Sequence, residues 1–115
     1  MLKIGVLGTG HLGKIHLKCI GLAQDSYELV GFFDPNPEVA AAVAEAHNTT
    51  AFPDVESLIE AVDVVDVVTP TTTHFALAKQ VISAGKHLFI EKPITHTLAE
   101  AEQLVQLAKD KGVKV

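Results

Sequence analysis

Three groups of residues in this 115-residue chain have types and spacings that could do chemistry. The first is Gly8-Thr9-Gly10-His11-Leu12-Gly13, which matches G-x-G-x-x-G. It follows a short apolar run, Leu2, Ile4, Val6 and Leu7, that reads as a buried strand, and it opens a helix. In that setting each glycine has a physical task. Gly8 permits the tight turn out of the strand, Gly10 lets a pyrophosphate approach the backbone, and Gly13 lets the helix pack closely on the sheet. The free N–H groups and positive dipole end of that helix then face the phosphates. Residues 8 to 13 are thus the expected phosphate cradle. The alternative is a glycine-rich turn with no ligand, but the strand before and the helix after supply the context the motif requires.

The second group is Asp34, about twenty residues beyond the last motif glycine and at the carboxyl end of the next strand. An acidic side chain there accepts hydrogen bonds from the adenosine ribose hydroxyls and repels a 2′-phosphate. Pro35, Asn36 and Pro37 add no cation to bind such a phosphate, so NAD is expected in preference to NADP. The alternative is that Asp34 merely starts an Asp-Pro turn. The third group is Glu91-Lys92-Pro93, after the fifth expected strand. Pro93 fixes the local backbone. An ammonium at Lys92 could hydrogen-bond a substrate oxygen, stabilise charge developing on it during hydride transfer and help move the proton. Glu91 could orient Lys92 or touch the nicotinamide ribose. From the residues alone, an exposed loop lysine is the favoured reading of Lys92. Between these groups, Thr69, Pro70 and Thr71 leave the fourth strand at the switch point where such sheets bind ligands. The hydroxyls of the loop Thr69 to Thr73 serve either the cofactor or the cap of the helix that follows, for which Thr73 is the candidate. His74 either reaches the site or plays a structural or solvent role.

The elements that must position these residues alternate strictly. Helices are expected over 11–22, 37–47, 74–84 and 98–111, with a short one after Asp54. Strands are expected over 2–7, 28–33, 50–52, 64–69 and 86–90, with a sixth starting at 113. Leu12, Ile15, Cys19 and Leu22 are spaced as the apolar face of the first helix. Asp54 and the pair Thr97/Glu100 read as helix caps, and Gly85 and Gly112 as helix ends. Alternating apolar strands and helices predict an α/β fold: a doubly wound parallel sheet in three layers, strand order 3-2-1-4-5-6. Asp66 is the odd residue, a carboxylate in an otherwise all-valine strand. It needs partners or a raised pKa; the sequence does not identify its partner, so it reads as structural, the alternative being a role near the site.

Composition narrows the function. Net charge is −5 with no Lys/Arg cluster, which argues against nucleic acid and anionic membrane surfaces as partners. No apolar run approaches the roughly 20 residues needed to span a bilayer. The single Cys19 cannot form an internal disulfide and reads as a buried small hydrophobe, in keeping with a reducing cytoplasm. His47, His87 and His96 lack metal-ligand spacing, so no metal site is expected. The chain stops three residues into its last strand, which reads as the N-terminal piece of a longer protein.

Taken in order, Gly8 to Gly13, Asp34, Thr69-Pro70-Thr71-Thr72-Thr73-His74, and Gly85-Lys86-His87 leading to Glu91-Lys92-Pro93 resemble the N-terminal domain of the Gfo/Idh/MocA oxidoreductases. That group includes glucose–fructose oxidoreductase and inositol dehydrogenase, and the resemblance covers the whole chain. It implies a Rossmann-type domain over residues 1–115 and NAD(P)-dependent oxidation or reduction of a hydroxyl on a sugar, cyclitol or related small molecule. It also implies that Lys92 lies at the active site. Members carry a second α/β domain that supplies much of the substrate pocket, a catalytic histidine or aspartate pair and usually the oligomer interface. The whole protein is therefore expected to be a homo-oligomer, and these 115 residues to bind dinucleotide without efficient turnover. Some relatives regulate transcription without turnover, so the alternative is a non-catalytic dinucleotide-sensing module. An intact Glu91-Lys92-Pro93 favours the enzyme.

Overall fold

A computed structural model describes all 115 residues. The elements follow the alternation of apolar and helical segments: β1 (Leu2–Leu7), α1 (His11–Leu22), β2 (Tyr27–Phe33), α2 (Pro37–His47), α3 (Val55–Ala61), β3 (Val64–Val67), α4 (Thr71–Ser83), β4 (His87–Ile90) and α5 (Leu98–Lys111). All strand pairings are parallel, in the order β2-β1-β3-β4. No helix is long and apolar enough to cross a membrane.

Side chains alternate across the sheet, and this alternation divides the core in two. Leu7, Val65, Val67 and Leu88 pack against Leu58, Ala78, Val81, Ile82 and Leu104 on the side of α3, α4 and α5. Val6 and Phe32 pack against Leu17 and Val43 on the side of α1 and α2. The result is three layers, as the alternation predicts. The caps hold as well. Asp54 accepts the Ser57 N–H at 2.7 Å, Thr97 and Glu100 form a reciprocal capping box, and Gly112 closes α5 in the left-handed region.

The structure corrects the sequence reading in four places. Four strands form rather than six. The expected third strand is a single bridge between Ala51 and Phe32, because Pro53 follows at once and has no N–H to extend a ladder. The expected sixth contributes one backbone–backbone hydrogen bond to β4, from the Leu88 N–H to the Lys114 carbonyl at 2.9 Å. These two short segments flank β2 and β4, so the order of the formed strands agrees with the expected one. Next, α4 starts at Thr71, three residues early, and Thr73 is not its cap. Finally, the sheet-facing stripe of α1 is Gly13, His16, Leu17 and Ile20, one position round from the expected one. Leu12, at 43% exposure, and Ile15 line an open apolar groove instead, together with an exposed Cys19. No helix covers β4 on that side, and Phe89 is 59% exposed there.

Candidate functional site

The carboxyl ends of β1, β2 and β3 lie side by side, and the chain turns away from each in a different direction. A cleft of about 850 Å³ opens between these turns. Gly8, Thr9, Gly10, His11 and Leu12 form one wall, Asp34 and Pro35 another, and Thr69, Pro70, Thr72 and Thr73 a third.

The glycines explain the first wall. Gly8 has φ +92°, a conformation that disfavours any side chain, and a Cβ there would also meet the Val68 carbonyl at 2.9 Å. A Cβ on Gly13 would collide with the Gly8 carbonyl, so only glycine lets α1 start this close to the strand end. Gly10 is different: a Cβ there meets nothing within 4 Å. Its bare backbone borders open space. The first amides of a helix have no partner within it. In α2, α3 and α5, side chains of Asn36, Asp54 and Thr97 satisfy some of them. In α1 and α4, which both start at the cleft, the caps are Gly10 and Pro70 and no side chain does so.

Asp34 is bound to the glycine turn. Its Oδ2 accepts the Thr9 N–H at 3.0 Å and the Thr9 hydroxyl at 2.9 Å, and its Oδ1 accepts the Asn36 N–H at 2.9 Å. Burial alone would raise its pKa. These three hydrogen bonds and the charge of Lys14 outweigh burial and hold the carboxyl below its ordinary value. Lys14 is a cation the sequence reading missed, because it belongs to α1 rather than to the residues after Asp34.

The remaining candidates fall outside the cleft lining. Thr71 opens α4. His74 is 1% exposed, with Nδ1 2.9 Å from the Pro93 carbonyl and Nε2 2.9 Å from the Thr69 carbonyl. Its ring clamps the turn after β3 to the loop after β4. Glu91 is half-buried and Lys92 exposed, and the Lys92–Pro93 peptide is cis.

The partner of Asp66 is His16, which the sequence reading did not single out. Asp66 pairs with Val6 and Phe89 in the sheet and points to the α1 side. Period two along β4 puts Phe89 and then Glu91 on the same side. His16 comes down from α1 between them. Its Nδ1 lies 2.7 Å from Asp66 Oδ2 and its Nε2 2.9 Å from Glu91 Oε1. Glu91 Oε2 in turn accepts the Lys92 N–H at 3.2 Å. Burial pushes the Asp66 carboxyl above its ordinary value, against the bond and charge of His16. Burial alone would lower the His16 imidazole; the hydrogen bonds and charges of Asp66 and Glu91 outweigh it and raise the pKa. A signal did exist in the sequence: His16 stands three residues after Gly13, on the stripe that the close helix–strand crossing turns toward the sheet.

A UDP-N-acetylglucosamine 3-dehydrogenase of Acidithiobacillus ferrooxidans is 44% identical over 111 residues, spanning 96% of this chain and 34% of that protein. Its solved structure matches with a TM-score of 0.91 and 42% identity, over 97% of this chain and 36% of that one. The WlbA dehydrogenase from Bordetella pertussis, solved in complex with NADH and UDP-GlcNAcA, matches with a TM-score of 0.89 and 28% identity over 98% of this chain and 36% of its own. Biliverdin reductase from Synechocystis sp. PCC 6803, solved with biliverdin and NADP+, gives a TM-score of 0.89 and 27% identity over 98% and 37%. This chain thus spans about a third of the length of the curated relatives it matches. Residues 2–115 match the oxidoreductase family with an NAD-binding Rossmann fold, and the chain belongs to that family, the Gfo/Idh/MocA oxidoreductases.

Proposed function

We propose that the cleft binds NAD in preference to NADP, and that residues 1–115 are the cofactor domain of a dehydrogenase acting on a hydroxyl or keto group of a sugar, cyclitol or related small molecule. The observation that carries this reading is the meeting of the glycine turn, Asp34 and two helix starts without side-chain caps on one cleft.

The residues fit the cofactor. Gly10 leaves room for a pyrophosphate, and the first amides of α1 would donate to it. Asp34 is held ionised, and three of its roughly four acceptor positions are taken, which leaves Oδ1 able to accept a ribose hydroxyl. A 2′-phosphate would face this carboxylate at close range. Lys14, the cation that reaches it, already has Asp34 as its counter-charge. Thr69 and Pro70 border the opposite wall. When bound, the nicotinamide supplies the hydride acceptor or donor. Lys92 is the residue we assign to the substrate: its exposed ammonium would donate to the reacting oxygen, stabilise the charge that develops there and exchange its proton. Glu91 fixes the Lys92 backbone through its N–H. A further domain would complete the substrate pocket, and the family resemblance supports a homo-oligomer. The single unpaired Cys19 suits a cytoplasmic location.

The test is Lys92→Ala in the whole protein, assayed with NAD on a panel of sugars, sugar nucleotides and cyclitols. We expect kcat to fall by about 100-fold or more, with the Kd for NADH within about threefold, since the lysine is outside the cleft lining. An unchanged kcat removes Lys92 from the reaction.

A further inference from the structure

Glu91 apart, neither the cleft nor the lysine chemistry uses the chain Asp66–His16–Glu91. Its members come from three elements and are 50 and 75 residues apart in sequence. Such a network is costly to build. Asp66 is 3% exposed and its Oδ1 has no hydrogen-bond partner. An apolar residue at position 66 would pack against Leu12, Ile15 and Phe89 without burying a charge. Cohesion of the fold alone would be served as well by an apolar residue there. The network's connections would not. His16 stands on α1, one turn beyond the amides that open on the cleft, and Glu91 holds the Lys92 N–H.

We propose that His16 is a positioning residue of the cofactor site: by bridging Asp66 and Glu91 it ties α1, which receives the pyrophosphate, to the loop that carries Lys92, and so fixes the spacing of the two halves. This rests on the cofactor reading given above. The ring serves both carboxylates as donor only when both nitrogens carry hydrogen, Nδ1–H to Asp66 and Nε2–H to Glu91. Loss of the Nε2 proton frees Glu91, and the loop then loses its tie to α1; loss of the Nδ1 proton strands the buried Asp66 instead. The charged groups that face the ring are Asp66 from β3 and Glu91 from the end of β4. Phe89 presents its ring at 6.2 Å, and the titratable Cys19 and Tyr27 line the same groove.

Two measurements on this chain decide the matter. In an NMR titration over about pH 5 to 9, the range in which histidine titrates, the Lys92 amide is expected to shift with the same midpoint as the His16 ring. Glu91→Gln should abolish that shared midpoint. A Lys92 amide that stays flat while His16 titrates overturns the proposal, and this needs no variant to fold. In parallel, His16→Gln is expected to weaken NADH about tenfold, the effect of one lost charge-assisted hydrogen bond. ADP-ribose, which lacks the nicotinamide, should change by less than about twofold. Equal losses for the two ligands would mean that His16 merely supports the fold, and overturn the positioning role. If the unmutated chain binds neither ligand, the cofactor reading fails, and with it this role; a coupled Lys92 titration would then survive as a property of the loop alone.

Discussion

Around Gly8–Gly13 and Asp34 the site is made by backbone, whereas around Lys92 it is made by side chains. On the proposed phosphate side, bare glycines set the distance between β1 and α1, and Asp34 holds the turn through Thr9. On the lysine side, His16 reaches Asp66 and Glu91, and His74 reaches the carbonyls of Thr69 and Pro93. The difference shows how each half can fail. A backbone-built site is broken by adding atoms, and a side-chain-built one by removing them or by changing their protons.

The largest effect expected from this contrast is that of Gly13→Ala. Its new methyl group meets a backbone carbonyl that cannot move without shifting β1, so urea unfolding should show a loss of about 3 kcal/mol. A neutral Gly13→Ala would break the backbone account of the phosphate side. Next is His74→Ala, which empties a buried site and leaves carbonyls without donors. A loss of about 2 kcal/mol is expected in the same assay, and a neutral result would break the side-chain account of the other half.

A smaller effect is carried by pH. His16 has its folded pKa raised above 6.5, so its contribution to stability is fully present below that value and is lost as pH rises through the folded pKa. Asp66 acts in the same direction at lower pH: burial raises its folded pKa above 3.8, so stability falls as pH rises from that value through the folded pKa. The Tm should therefore fall as pH rises above neutrality, and Asp66→Asn should flatten this slope. A wild-type slope that survives Asp66→Asn would assign it to other groups. The smallest effect is that of Lys92→Ala on stability. The side chain is exposed, and a change within about 0.5 kcal/mol is expected by urea unfolding.

The same contrast explains what could be read from sequence. Gly8, Gly10, Gly13, Asp34, Asp54 and the Thr97/Glu100 box act through neighbours in the chain or through a fixed motif spacing, so their types and positions were informative. His16 and Asp66 are 50 residues apart, and no local pattern pairs them. Leu12, Ile15 and Cys19 are as apolar as a core face, so the sequence points to a stripe of α1 one position away from the one that packs. What turns the other stripe inward is the contact of Gly13 with the Gly8 carbonyl. Three threonines after a proline look like a loop, so the sequence points to a later start for α4 than the one that forms. Here Thr73 Oγ1 lies 2.6 Å from the Pro70 carbonyl and the turn closes as a helix. Segments 50–52 and 113–115 sit where strands were expected but are too short for a ladder.

Parallel titration of this chain and its Asp34→Ala variant with NADH and NADPH tests the central claim most directly. The account predicts saturable binding of NADH, weaker binding of NADPH, and in Asp34→Ala a loss of about tenfold for NADH that narrows the gap between the two. Equal affinity for both in the unmutated chain, or NADH binding that does not saturate, would contradict it.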